Sequence, residues 1–253
     1  MLYTIISPLE QFDVNPLSSI EILETKYSLL ILSTYVLYIL IVLGIVYFLH
    51  TYSTTANIIP SKYYIGIEGL LSTIQNMVIV QIGKNAIVYL PFLYGIFILV
   101  LFSNLISLIP YNFAIMAQLV YTVAFSTMIW LGVTILGLYI QKLHFFSLFV
   151  PAGCNIVLLP ILVVIETLSY IARSISLGLR LGSNILAGHL LLVILCGLIY
   201  DFLLISWTTF FIGILPLLLL LGIMCLEGAI ACIQAYVFTI LTCSYIKDSL
   251  YGH

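Results

Sequence analysis

Charged side chains are scarce in this sequence: of 253 residues, 6 % are charged and 64 % are apolar. A soluble domain carries roughly 25 % charged residues. This chain has too few to cover a water-exposed surface and reads as an integral membrane protein. Alternating short apolar segments are also lacking, which argues against a β-barrel. The apolar runs are long, rich in Leu and Ile, and exceed the roughly 18 residues that mark a membrane-crossing helix. No basic surface is available for a nucleic acid, the net charge being −2. The cysteines, Cys154, Cys196, Cys225, Cys232 and Cys243, are odd in number and show no C-x-x-C spacing. That argues against a disulfide framework or a metal site, and the cysteines are expected to be small buried hydrophobes. A P-loop, G-x-x-x-x-G-K-[ST], is absent, so nucleotide chemistry is not expected of this chain and no cofactor is implied. The first residues, MLYTIISPLEQF, lack the basic region of a signal peptide and the Arg/Ser-rich character of a transit peptide. A chain this apolar without an import signal suits synthesis inside an organelle or a bacterium.

What is present predicts an all-α integral membrane protein of about six helices, one membrane domain over residues 1–253. Residues 1–27 form a polar, acidic N-terminal arm, with Pro8 and Pro16 against a continuous helix. Residues 28–49 form the first transmembrane helix. Over 65–82, Glu68, Ser72, Gln75, Asn76 and Gln81 interleave with apolar residues at three- and four-residue spacing. This pattern predicts an amphipathic helix at the membrane interface; packing against soluble parts of other subunits is the competing reading. Residues 86–109 and 114–140 are two spans, and the short 110–113 connection makes them an antiparallel hairpin. The last third holds two long helical patterns, 155–200 and 202–249. Each is about 65 Å long if helical, twice a bilayer core. Each either breaks into two spans or lies steeply tilted; few turn signals divide them, which favours two tilted helices in a hairpin around Asp201. Lys62, Lys84, Lys142 and Lys247 fall on one side of such a topology, and Lys26, the acidic arm and Asp201 on the other. The positive-inside rule makes the four-lysine side cytoplasm or organelle matrix.

Chemistry concentrates in residues 166–189, ETLSYIARSISLGLRLGSNILAGH. Seven residues advance a helix by 700°, so Glu166, Arg173 and Arg180 share one face, with Ser169 and Ser176 flanking it and Asn184 one turn on. His189 points to the opposite side. Small residues on the same helix, Gly178, Gly182, Ser183, Ala187 and Gly188, allow another backbone to approach. On the last helix Glu227 and Gln234 share a face, and Asp248 lies two heptads beyond Gln234. An antiparallel hairpin brings Glu227 near His189 and Asp248 near Glu166, with Arg180 between the two clusters. A charge at the bilayer centre costs about 2.5 to 3.5 kcal/mol. Arginine cannot escape that cost by losing its proton, whereas Glu and His can exchange protons near neutrality. Titrating groups at both ends with a fixed cation between them suit a divided proton path. Bland readings stand beside this one. Arg173 pairs with Glu166 as a structural bridge; Asn104, Glu227, Gln234 and His189 serve as helix-packing groups. Arg180 fits such a reading least, its nearest acid on the same helix being Glu166, about 21 Å away.

At these residues the sequence resembles subunit a of F-type ATP synthases, in its mitochondrial, fungal-like branch. The resemblance rests on SLGLRLGSNILAGH around Arg180, LFSNLISLIPY around Asn104, FFSLFVPAG at 145–153, LEGAIACIQAYVF around Glu227, SPLEQF near the start and SYIKDSLYGH at the end. It implies a proton-translocating stator subunit of the Fo sector, non-catalytic itself, whose two long helices lie against a rotating ring of c subunits. It implies two offset half-channels separated by Arg180. Asn184, His189, Glu227 and Gln234 match the half-channel from the intermembrane space, and Glu166 and Asp248 the matrix-side path. Arg173 and Asn104 take auxiliary places. Implied partners are the c-ring, peripheral-stalk and small membrane subunits and the lipid bilayer, with no nucleic acid. The implied location is the mitochondrial inner membrane, multi-pass, with the C-terminus in the matrix. A self-contained secondary transporter or ion channel is the rival class. It predicts inverted repeats and helices broken at the midplane, and the sequence shows neither.

Overall fold

The fold is that of a computed structural model. It describes residues 12, 16–20, 29–53, 62–109, 112–142, 145–146, 159–205 and 207–251. Most of the expected N-terminal arm, the linker at 54–61, most of the FFSLFVPAG motif and residues 155–158 of the first long run lie outside the described residues.

A short β-ribbon comes first. Strands β1 (Pro16–Ile20) and β2 (Leu29–Ser33) pair antiparallel, with Pro16 opposite Ser33 and Ile20 opposite Leu29. The sequence reading did not contain this ribbon, and it corrects the first expected span. Helix α1 runs Thr34–Ser53 rather than 28–49, because Leu29–Ser33 satisfies its backbone hydrogen bonds across the ribbon. An apolar run of this length has no periodicity that separates strand from helix.

Helix α2 (Lys62–Gln81) occupies the expected amphipathic segment. Ile74, Met77 and Val78 are buried on one face, while Glu68, Ser72, Thr73 and Asn76 are exposed on the other. It stops at Gly83, whose φ of 111° suits glycine and whose amide reaches back to the Val78 carbonyl at 3.4 Å. A 3-10 turn, Lys84–Tyr89, leads into α3 (Leu90–Ser107), with Pro91 in its first turn, where a missing N–H costs nothing.

Helix α4 (Leu119–Gln141) begins later than the expected 114, so the connection exceeds 110–113. Local polar groups explain the difference. Asn112 donates its side-chain amide to the Ile106 carbonyl at 2.8 Å and accepts from the Phe113 amide, closing α3. A 3-10 turn at Ile115–Ala117 then buries three apolar side chains, and the Gln118 side chain donates to the Phe12 carbonyl.

The two long helices are each unbroken. Helix α5 spans Leu159–Ile205 and α6 spans Trp207–Tyr251, with Pro216 inside it. At 47 residues α5 is about 70 Å long. The turn expected at Asp201 is not there, since α5 continues through residue 201 to Ile205. Among the described residues, α1, α3, α4, α5 and α6 are long and apolar enough to cross a membrane. With α2 they make the expected all-α membrane protein of six helices.

The expected single domain divides into two compact units, each drawn from separated stretches. Unit 1 comprises the described residues of Met1–Phe48, Leu99–Gln118 and Gly182–Ile233. Unit 2 comprises those of Leu49–Ile98, Leu119–Leu181 and Gln234–His253. The core of unit 1 includes Val100, Met116, Ile185 and Ala231. The core of unit 2 includes Ile74, Val78, Leu177, Leu181 and Phe238, with Phe125 stacked on Phe238 at 5.7 Å and Trp130 against Tyr170 at 5.4 Å. Hydroxyls inside these apolar helices return to their own backbone; Thr242 Oγ1, for instance, donates to the Phe238 carbonyl at 2.9 Å.

Candidate functional site

In unit 1, α5 and α6 meet where Gly188 faces Glu227. A Cβ at position 188 would stand 2.8 Å from Glu227 Cδ and closer still to Oε1. Only glycine leaves room for the carboxyl there. Glu227 is buried, 4 % exposed, and neither of its oxygens has a hydrogen-bond partner among the described residues. His189 follows Gly188 in the chain. Its Nε2 is also buried without a hydrogen bond among the described residues, and its ring meets Phe12 edge-on at 6.3 Å. The expectation that Glu227 approaches α5 near His189 thus has a concrete form: the carboxyl lies on the α5 backbone one residue away.

Asn104 of α3 is fully buried in the same unit. Its Nδ2 donates to the Ala231 carbonyl at 3.4 Å, one turn of α6 beyond Glu227, and its Oδ1 is left without a partner among the described residues. Ser103 and Ser107 are buried beside it, each donating to an α3 carbonyl. Asn184 is exposed on α5.

Unit 2 holds the two arginines. Arg180 is exposed on α5 and makes no ion pair among the described residues. Ser169, Ala172, Arg173 and Ser176 are exposed along the same helix. The opposite side of α5 is pressed against α4. A Cβ at Gly178 would stand 2.7 Å from the Thr122 carbonyl oxygen and 2.8 Å from Val123 Cα. The small residues expected to admit another backbone do so at this position.

The anticipated bridge between Arg173 and Glu166 is not formed. Arg173 Nη1 instead reaches Asp248 Oδ2 at 3.4 Å, and Glu166 is exposed without an ion pair among the described residues. The reason is axial distance. Seven residues separate Glu166 and Arg173 by about 10 Å along the helix, beyond a side-chain contact, whereas α6 places a carboxylate alongside. Asp248 therefore meets α5 at Arg173, not at Glu166. Gln234 is buried, 4 % exposed.

Tyr245 belongs to this group and was not singled out in the sequence. Its hydroxyl donates to the Arg173 carbonyl at 3.3 Å, and its ring centroid lies 5.9 Å from the Arg173 guanidinium carbon. The available signal was its place three residues before Asp248, on the same face of one helix.

A model of the family described as ATP synthase A chain matches residues 31–247. The chain belongs to this family. ATP synthase subunit a of Saccharomyces cerevisiae is 51 % identical over 251 residues, covering 98 % of this chain and 97 % of that one. ATP synthase subunit a of Yarrowia lipolytica is 48 % identical over 255 residues, covering 100 % of each. That of Candida glabrata is 50 % identical over 249 residues, 98 % of this chain and 96 % of its own. The family assignment therefore extends over the whole length, including both long helices and every candidate residue on them.

Proposed function

We propose that this chain is the proton-translocating stator subunit of the Fo sector of an ATP synthase in the mitochondrial inner membrane. The observation that carries the reading is Arg180: a permanent cation on a membrane-length helix, exposed and without an ion pair among the described residues. Hydrocarbon is a costly neighbour for such a group. A carboxylate carried by a neighbouring ring of c subunits is a suitable one.

In this reading protons enter from the intermembrane space past Glu227, His189, Asn184 and Gln234 and are handed to a ring carboxylate. Rotation carries them round, and they leave toward the matrix past Glu166 and Asp248. Arg180 separates the two half-channels. It repels a proton that would pass straight through and stabilises the carboxylate that has just released one. Arg173 and Asn104 support the two paths. Glu227 suits its role because its buried oxygens are not tied up by hydrogen bonds to the described residues. The chain does no nucleotide chemistry itself. Each proton moving down 100 mV releases about 2.3 kcal/mol, so several are needed per ATP. Peripheral-stalk and small membrane subunits hold the chain against the ring, α2 lies at the interface, and the C-terminus faces the matrix.

The test is Arg180→Ala in the assembled complex. ATP synthesis and ATP-driven proton pumping are expected to fall by more than about 100-fold, the scale of losing a preorganised charge at a reacting centre. Assembly should remain largely intact. Wild-type ATP synthesis at matched complex levels would sink the mechanism.

A further inference from the structure

The contact of α5 with α6 in unit 2 contains a device that the two-path reading leaves unused. Tyr245 is 2 % exposed and holds Arg173 at two points: its hydroxyl donates to the main-chain carbonyl, and its ring stands beside the guanidinium. Arg173 in turn holds Asp248. A mid-helix carbonyl has a second lone pair beyond the one used within the helix, so the phenol adds a link without breaking one. Tyr170 and Arg180 are also within electrostatic range of the Tyr245 phenol or its partners.

The geometry separates bracing from charge pairing. Arg173 and Asp248 have side chains 45 % and 25 % exposed, and an ion pair that open to its surroundings fixes little by itself. The buried ring and the main-chain hydrogen bond supply the rigidity the pair lacks. They set where the guanidinium starts from α5 and restrict where it swings.

We propose that Tyr245 is a positioning residue for proton release: it fixes Arg173, and Arg173 fixes the Asp248 carboxylate on the path toward the matrix. The inference rests on the assignment of Asp248 to that path. Tyr245 itself does not carry the proton.

The experiment is a double-mutant cycle in the assembled complex, with ATP synthesis and ATP-driven proton pumping measured in membrane vesicles per assembled complex. Tyr245→Phe keeps the ring in its buried place and removes only the hydroxyl. A loss of about fivefold is expected, the size of one neutral hydrogen bond. In an Asp248→Asn background the same change should add little, because the group it positions is already gone. Arg173→Lys keeps the charge but not the planar group, and should lose a similar factor. Full rates in Tyr245→Phe or in Arg173→Lys, or losses from Tyr245→Phe and Asp248→Asn that multiply, overturn the proposal. Asp248→Asn with full rates removes the matrix-side path itself and the proposal with it.

Discussion

Gly188→Ala tests the proposed entry half-channel most directly, because it adds a single methyl group against the Glu227 carboxyl. The added Cβ would stand 2.8 Å from Cδ and 3.2 Å from Cγ of Glu227. Carbon atoms pack at about 3.5 to 4.0 Å, so the carboxyl must retreat by about 1 Å. Two stability terms oppose each other. Alanine gains about 1 kcal/mol over glycine in a helix interior, and overpacking costs about 1 to 3 kcal/mol. The net change is small on the scale of a folded domain, and assembly should survive. Proton transfer is less forgiving, since a displacement of about 1 Å costs about 100-fold where reacting groups must align.

The expected result is a loss of about 10- to 100-fold in proton pumping and ATP synthesis per assembled complex. Gly197→Ala is the control. It lies on the same helix in the same unit, a Cβ there meets nothing within 4 Å, and it should leave both rates unchanged. Wild-type rates in Gly188→Ala at matched assembly would refute the cradle. Equal losses in the two variants would show that the defect is not local to the carboxyl.

Glu227→Gln keeps the shape of the side chain but cannot carry a proton; proton flux should fall at least about 100-fold while complex levels hold, as read by vesicle acidification against native-gel quantitation. Gly178→Ala acts elsewhere. Its Cβ meets backbone atoms of α4 at 2.7 and 2.8 Å, which cannot swing aside, so a loss of about 1 to 3 kcal/mol should appear as less assembled, more detergent-labile complex with near-normal turnover in what remains.

The helical architecture was legible because its signals are long. Apolar runs of membrane length, an interleaved polar pattern over α2 and two stretches with few turn residues all survive averaging over many positions. The misses are local. Leu29–Ser33 reads as the start of α1 because an apolar strand and an apolar helix turn share a composition, and only pairing with Pro16–Ile20 decides between them. The start of α4 depends on a few side-chain hydrogen bonds around Asn112 and Gln118. Heptad spacing put Arg173 and Arg180 on one face of α5, and both are exposed. It left the partner of Arg173 undecided, because that depends on how far α6 slides along α5. A shift of one or two turns exchanges Glu166 for Arg173 as the α5 neighbour of Asp248, and no periodicity within either helix reports such a slide.

The exposure of Arg180 follows from the burial of Gly178. Two residues of helix turn through 200°, so whatever Gly178 faces, Arg180 faces away from. Gly178 lies against the backbone of α4, with the Thr122 carbonyl and Val123 Cα in contact distance. That contact admits no side chain at position 178 and therefore fixes the rotation of α5 about its axis. Leu177 and Leu181, about 100° and 60° round the helix from the glycine and both buried, widen that packed side. Desolvating an arginine inside unit 2 would require a buried partner on α4 or α6, and Asp248 is already engaged by Arg173. The fold thus spends a small residue on packing and turns outward a cation that has no ion pair among the described residues, which leaves it open to the ring carboxylate proposed above.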